Sequence, residues 1–267
     1  MESLTPFDVQ LRGRRVRYVD GGPRSTPAVV LLHGIGRDHA QWTPLATSLA
    51  RTRRVVALDI PGFGASEPIR GAMRWEELSE TVLDLVACLD LGRVTLIGHS
   101  MGAAISIVAA ADRPEFIERL VLVAPSCYRA TTFLEDRLIA APIVGPTLLR
   151  RIVGARVLRR HVGLDARPSA QCWAMIEATT VPSTIEARVP RVRAPSLVVW
   201  GRDDRVVPWT HGTRLARELG NARLEILDCA HFPEEERPAL VDSLIRDFLG
   251  VTTRNARGPG APRGAVG

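Results

Sequence analysis

Ser100 closes a short apolar run and opens a helix-forming one: Val94-Thr95-Leu96-Ile97-Gly98-His99-Ser100-Met101-Gly102, followed by Ala103 to Ala111. A serine hydroxyl is a weak nucleophile, so chemistry at this position needs a base to take its proton and donors for the oxyanion it creates. A sharp strand-to-helix turn serves both needs. Glycines at 98 and 102 bring no Cβ into the turn, and the serine is thrust out at the head of a helix whose N–H groups, beginning with Met101, face the developing charge. Gly-x-Ser-x-Gly is a short pattern, and its place between an apolar strand and a helix is what gives it meaning.

The base has few candidates among six histidines. His33 and His39 precede the serine, His99 is its neighbour in the turn, His161 lies in a helical insertion, and His211 sits on a helix-forming stretch. His231 instead follows a strand directly, on the loop Asp228-Cys229-Ala230-His231-Phe232, from which an imidazole can reach over the end of a sheet. For the acid, Leu197-Val198-Val199-Trp200-Gly201-Arg202-Asp203-Asp204 offers two adjacent carboxylates just past a strand end, where open α/β sheets place their sites. Either Asp203 or Asp204 can hold the Nδ1–H of His231 and so fix its tautomer.

These loops need strands and helices to bring them together. Phe7–Leu11 and Arg15–Val19 read as an opening strand pair, and Ala28–Leu32, Val55–Leu58, Val94–Ile97, Leu120–Ala124, Leu197–Trp200 and Leu224–Leu227 as buried strands rich in Val, Leu and Ile. Trp75, Leu78, Val82, Leu85, Val86 and Leu89 recur at helical spacing, with Glu76, Glu77, Glu80 and Asp84 on the other face. Leu240, Leu244, Ile245 and Phe248 form a closing helix. The alternation implies an α/β fold with a mostly parallel central sheet and helices on both faces. It divides the chain into a core of residues 1–126 and 194–250, a helical cap of residues 127–193 broken by Pro and Gly, and a disordered, Arg-bearing tail of residues 251–267.

Composition narrows the function. The 267 residues, 46% of them apolar, suit one domain with an insertion. Neither a signal-peptide core nor a run long enough to span a membrane is present, so the expected location is cytoplasmic. Cys88, Cys127, Cys172 and Cys229 are scattered without a CxxC pair, which points to reduced thiols and no metal site. All 35 basic residues are arginines, so lysine Schiff-base chemistry and the Gly-Lys-Ser/Thr phosphate loop are excluded. Half of the net +6 sits on Arg254, Arg257 and Arg263 of the tail, and the remainder describes a mixed surface rather than a nucleic-acid face.

The chain resembles the α/β-hydrolase superfamily at several places over residues 7–250. His33-Gly34-Ile35-Gly36 looks like its oxyanion motif, and Asp59-Ile60-Pro61-Gly62-Phe63-Gly64-Ala65-Ser66 like its D-x-P-G-F/H-G-x-S loop. Gly201-Arg202-Asp203-Asp204 with Val207-Pro208 is similar to its acid loop, in which the second aspartate is catalytic. The order serine, acid, histidine is also the superfamily's. The resemblance implies the α/β-hydrolase fold, a triad of Ser100, Asp204 and His231, an oxyanion hole made by the backbone N–H groups of Ile35 and Met101, and no cofactor or metal. It implies a serine hydrolase for a small apolar carboxylic ester, lactone or thioester, acting through an acyl-enzyme. The cap's Leu138, Ile139, Ile143, Val144, Leu148, Leu149, Trp173, Met175 and Ile176 suggest either an apolar acyl or aromatic pocket or the cap's own small core. Haloalkane dehalogenases and epoxide hydrolases carry an aspartate where Ser100 stands. Meta-cleavage C–C hydrolases share the acid loop but usually have tryptophan at the place of Phe232, and cofactor-free haloperoxidases and perhydrolases share the triad. Ala230 replaces a common glycine. A non-hydrolytic ligand receptor or biosynthetic catalyst on the same fold is the alternative of another class, and the oligomeric state is left open.

Overall fold

The computed structural model describes residues 4–24, 27–69, 74–128 and 184–251. Its strands are β1 (Thr5–Leu11), β2 (Arg14–Gly21), β3 (Val29–Leu32), β4 (Val55–Leu58), β5 (Val94–His99), β6 (Ile117–Val123), β7 (Ser196–Gly201) and β8 (Ala222–Leu227). They form one sheet in the order β1-β2-β4-β3-β5-β6-β7-β8. β2 runs against both of its neighbours, and every pair from β4 through β3 to β8 is parallel. The strands expected from the sequence are all present, their ends moved by a few residues.

Strand residues divide between two cores with period two, the geometry of a sheet buried on both faces. Val30, Leu32, Val56, Leu58, Leu120, Leu122, Val198 and Trp200 point to one side. Val29, Leu31, Val55, Ala57, Val121, Val123, Leu197 and Val199 point to the other. The first side is covered by α2 (Trp75–Cys88), α3 (Met101–Asp112) and α4 (Thr210–Leu219), the second by α1 (Thr43–Leu49) and α6 (Pro238–Phe248). A short helix α5 (Pro233–Glu236) precedes α6. α3 is buried almost all round because its alanines let it lie close to the sheet, whereas α2 turns its acids outward to Arg12 and Arg14, with Glu80, Asp84 and Glu77 at 2.8, 2.7 and 2.6 Å.

The 3-10 turn His39–Trp42 and α1 leave no mark in the sequence pattern, since neither is long enough to show a helical period. Buried Trp42, Leu45 and Leu49 hold them to the sheet. Of the segment assigned to a cap, residues 129–183 lie outside the described residues, as does the tail from 252. Its two ends pack into the first core through Cys127, Tyr128, Ile185, Val189 and Val192. Burial pushes the thiols of Cys127 and Cys229 up, in keeping with unreactive packing residues. Among the described residues no helix is long and apolar enough to cross a membrane. All parallel strands end at one edge, so the segments after β3, β4, β5, β7 and β8 collect there.

Candidate active site

Ser100 sits between β5 and α3 with φ +49° and ψ −107°, a conformation that costs a non-glycine residue about 1–3 kcal/mol. Its neighbours hold it there. The Ser100 N–H donates to Val123 O (2.8 Å), and Ser100 O accepts from the N–H groups of Ala104 (3.1 Å) and Ser126 (3.3 Å). A Cβ on Gly98 would overlap the backbone of Gly102 and Ala103, and one on Gly102 would overlap Leu32, so both glycines are forced by close approach of α3 to the sheet.

From the far side of the sheet edge, His231 Nδ1 meets Asp204 Oδ2 at 2.8 Å. A carboxylate only accepts, so Nδ1 carries the proton and Nε2 of the neutral ring is left as an acceptor. The same Oδ2 accepts from Trp200 Nε1 (3.1 Å), while Oδ1 accepts from the N–H groups of Val206 (2.8 Å) and Val207 (2.9 Å). All four donors suit the charged form of Asp204. Asp203 is exposed, and its backbone N–H ties the loop to Cys229 O at 3.0 Å. The geometry therefore separates two carboxylates that the residues alone left equivalent. Ser100, Asp204 and His231 are only 6, 6 and 3% exposed, so all three are buried.

The segment after β3 is fixed by its first histidine. His33 Nδ1–H donates to Gly34 O (2.7 Å), and Nε2 accepts from Ile60 N–H (2.9 Å). Burial pushes His33 down to about 4, so the ring stays neutral and both bonds persist at neutral pH. Because Gly34 C=O and Ile35 N–H share one peptide plane, holding the carbonyl aims the Ile35 N–H. Asp59 clamps the neighbouring loops, Oδ1 taking His39 N–H (2.8 Å) and His39 Nδ1–H (2.7 Å) and Oδ2 taking Ala65 N–H (2.7 Å). Asp38, His39 and Asp59 have the composition of a cation site. Here Asp59 is filled by these donors, and Asp38 accepts from Ala40 N–H (2.8 Å) at the start of the 3-10 turn, so the cluster is accounted for as a loop clamp.

Four residues at the site carried no signal in the sequence: Gln41, the ring of His99, Trp200 as a donor to Asp204, and Glu234. His99 is buried with Nε2 2.9 Å from His231 O, and its ring lies 4.8 Å from those of His231 and Phe232. Desolvation and the nearby His231 hold it well below the usual histidine range, so it is a neutral ring with the proton on Nε2. The apolar pocket expected from Leu138, Ile143, Leu149 and Trp173 lies outside the described residues.

Residues 29–243 match the alpha/beta hydrolase family. The chain is 30% identical, over 91% of its length and 69% of the relative's, to the dihydrolipoyllysine-residue acetyltransferase component of the acetoin cleaving system of Pseudomonas putida. It is 29% identical to a 2-hydroxy-6-oxononadienedioate/2-hydroxy-6-oxononatrienedioate hydrolase of Cupriavidus pinatubonensis, over 83% of this chain and 86% of that one. Among solved structures, a hydrolase from Pseudomonas aeruginosa PA01 is similar with a TM-score of 0.77 and 26% identity, covering 92% of this chain and 98% of the other.

Proposed function

The chain belongs to the alpha/beta hydrolase family and is a hydrolase, and from that premise we propose that it cleaves small apolar carboxylic esters, lactones or thioesters through an acyl-enzyme on Ser100. The observation that carries this reading is the Asp204–His231 pair, 2.8 Å apart and held by three further donors, on the same sheet edge as a serine in a strained turn. In this reading His231 Nε2 takes the Ser100 proton as Oγ attacks the carbonyl carbon. The carbonyl oxygen becomes the oxyanion and is met by the N–H groups of Met101 and Ile35. His231 then gives its proton to the leaving group, and water, deprotonated in turn by His231, releases the acid. No step asks for a metal or cofactor. The helical cap of residues 127–193 belongs to the same proposal.

A second reading, hydrolysis of a C–C bond next to a carbonyl by the same groups, is favoured by the Cupriavidus relative and by the shared acid loop. Reaction with a fluorophosphonate and turnover of a panel of p-nitrophenyl esters, lactones and β-diketones test both. Stoichiometric labelling of the Ser100 peptide, abolished by Ser100→Ala and fading as pH drops through the range of a histidine near 6.5, is expected. Turnover of β-diketones without esters selects the second reading, and a folded protein that neither labels nor turns over any of these sinks both.

A further inference from the structure

We propose that Gln41 is a positioning residue for the oxyanion hole, its one side-chain amide holding the oxyanion segment, the nucleophile turn and the histidine loop in a fixed relation. This rests on the acyl-transfer reading above, because the placement of Ile35 N–H matters only where an oxyanion forms. The three bonds of Gln41 have only one consistent set of directions. Gly34 N–H can only donate, so it meets Gln41 Oε1 (2.9 Å). The amide nitrogen then faces His99 Nδ1 (2.9 Å) and Glu234 Oε1 and donates one proton to each. His99 is free to accept at Nδ1 because its proton is spent on His231 O. The chain of bonds therefore runs from the peptide that precedes the Ile35 N–H, through Gln41 and His99, to the backbone of the catalytic histidine.

Packing supports the same tie. A Cβ on Gly34 would stand 2.6 Å from His99 Nδ1, so the oxyanion segment rests directly against that ring, and the ring, bonded at both nitrogens, cannot turn away. Arg37 adds a second link between the two loops, with its guanidinium 4.7 Å from the Phe232 ring centre and 3.2 Å from Glu235. Gln41 and Glu234 line a cavity of about 510 Å³ on the solvent side of this contact. Burial pushes Glu234 up to about 8, so its neutral acid form predominates at neutral pH, with Oε1 accepting from Gln41 and Oε2 without a partner among the described residues.

Gln41→Met keeps the length of the side chain and removes all three bonds. Deleting an oxyanion donor outright costs about 10²–10³ in kcat, so releasing one from its position should cost about ten- to a hundredfold. KM for p-nitrophenyl esters should change by less than about threefold, since the oxyanion exists only after substrate has bound. Gln41→Glu provides a second reading that loss of packing would not imitate. It can still accept from Gly34 N–H, but it donates only when protonated. It lies among Glu234, Glu235, Asp38, Arg37 and neutral His99, so its kcat relative to wild type should fall steadily from pH 6 to pH 9. Should Gln41→Met fail to fold, the pH series on Gln41→Glu decides alone. An active wild type with kcat unchanged in Gln41→Met, or a flat ratio for Gln41→Glu, overturns the positioning role and leaves acyl transfer standing. A wild type inert to every ester and to fluorophosphonate removes acyl transfer, and the positioning role with it.

Discussion

Two histidine–carboxyl pairs flank Ser100, His231 with Asp204 and His99 with Glu234, and they are built for opposite charge states. Asp204 receives His231, the Trp200 indole and two backbone N–H groups, all donors that favour a carboxylate. Glu234 is just as buried, yet one of its oxygens accepts from Gln41 and the other has no partner among the described residues, so desolvation wins and it is held neutral. Its nearest approach to His99 is 3.7 Å, against 2.8 Å in the other pair. What sets the charge of a buried carboxyl here is the number of donors aimed at it, not the presence of a histidine beside it. One pair can stabilise an imidazolium. The other is a neutral frame that holds the backbone.

On the acyl-enzyme proposal, removing the Ser100 hydroxyl should give the largest effect. Ser100→Ala is expected to lower kcat by roughly 10⁴-fold or more with the fold intact, leaving what the oxyanion donors supply by themselves. Next comes the acid of the charged pair. Asp204→Asn should cost on the order of 10⁴ in kcat because the amide can donate to His231 and favours the wrong tautomer, while Asp203→Asn, at an exposed position, should stay within about threefold. Steady-state kinetics on one p-nitrophenyl ester measures all three. Equal losses in the two aspartate variants would break the contrast drawn above.

The two pairs also differed in how far they could be read from the chain. Ser100 announces itself because a strand, two glycines and a helix are contiguous in sequence, and His231 because it follows a strand directly. Strands and long helices were legible for the same reason, their apolar periods being local. Residue type and position alone did not separate Asp203 from Asp204; the resemblance of the acid loop favoured the second, and the turn after β7 places Asp204 inward against Val206 and Val207 and Asp203 toward solvent. The neutral pair was not legible at all. Gln41 is 58 residues from His99 and 193 from Glu234, and glutamine and glutamate on short surface-like segments carry no motif. Only the convergence of the segment after β3, the end of β5 and the segment after β8 at the carboxyl ends of the strands makes them neighbours. The same holds for Trp200, whose strand position is plain but whose indole proton needed Asp204 to fold back four residues later.

Trp200→Phe sharpens the first pair by removing one of its four donors, together with the indole's bond to Val207 O (3.1 Å), while keeping an aromatic ring in the core. Asp204 would still hold His231 through Oδ2 and both backbone groups through Oδ1. A three- to tenfold drop in kcat with little change in KM is expected, well short of Asp204→Asn. A loss as large as that of Asp204→Asn would mean that the indole, rather than the backbone pair, fixes the carboxylate.

The smallest effect is one of stability and concerns the neutral pair. Glu234 releases its proton at about 8 in the folded chain, against an ordinary value of 4.5. Between those two values the unfolded chain binds fewer protons than the folded one, so stability from this group is complete below about pH 4.5 and is lost as pH rises through 8. Glu234→Gln can accept from Gln41 with the same atom and has nothing to ionise. Its melting temperature relative to wild type should therefore rise from pH 5 to pH 9, by several degrees, since each kcal/mol corresponds to about 2–4 °C in a chain of this size. His33 and His99, both held below the usual histidine range, weaken the fold in the opposite direction, as pH falls below 6.5. They are present in both proteins and drop out of the difference, so thermal unfolding of the two side by side isolates Glu234. A difference that stays constant with pH would mean that Glu234 is ionised in the folded protein, and the two pairs flanking Ser100 would then be alike.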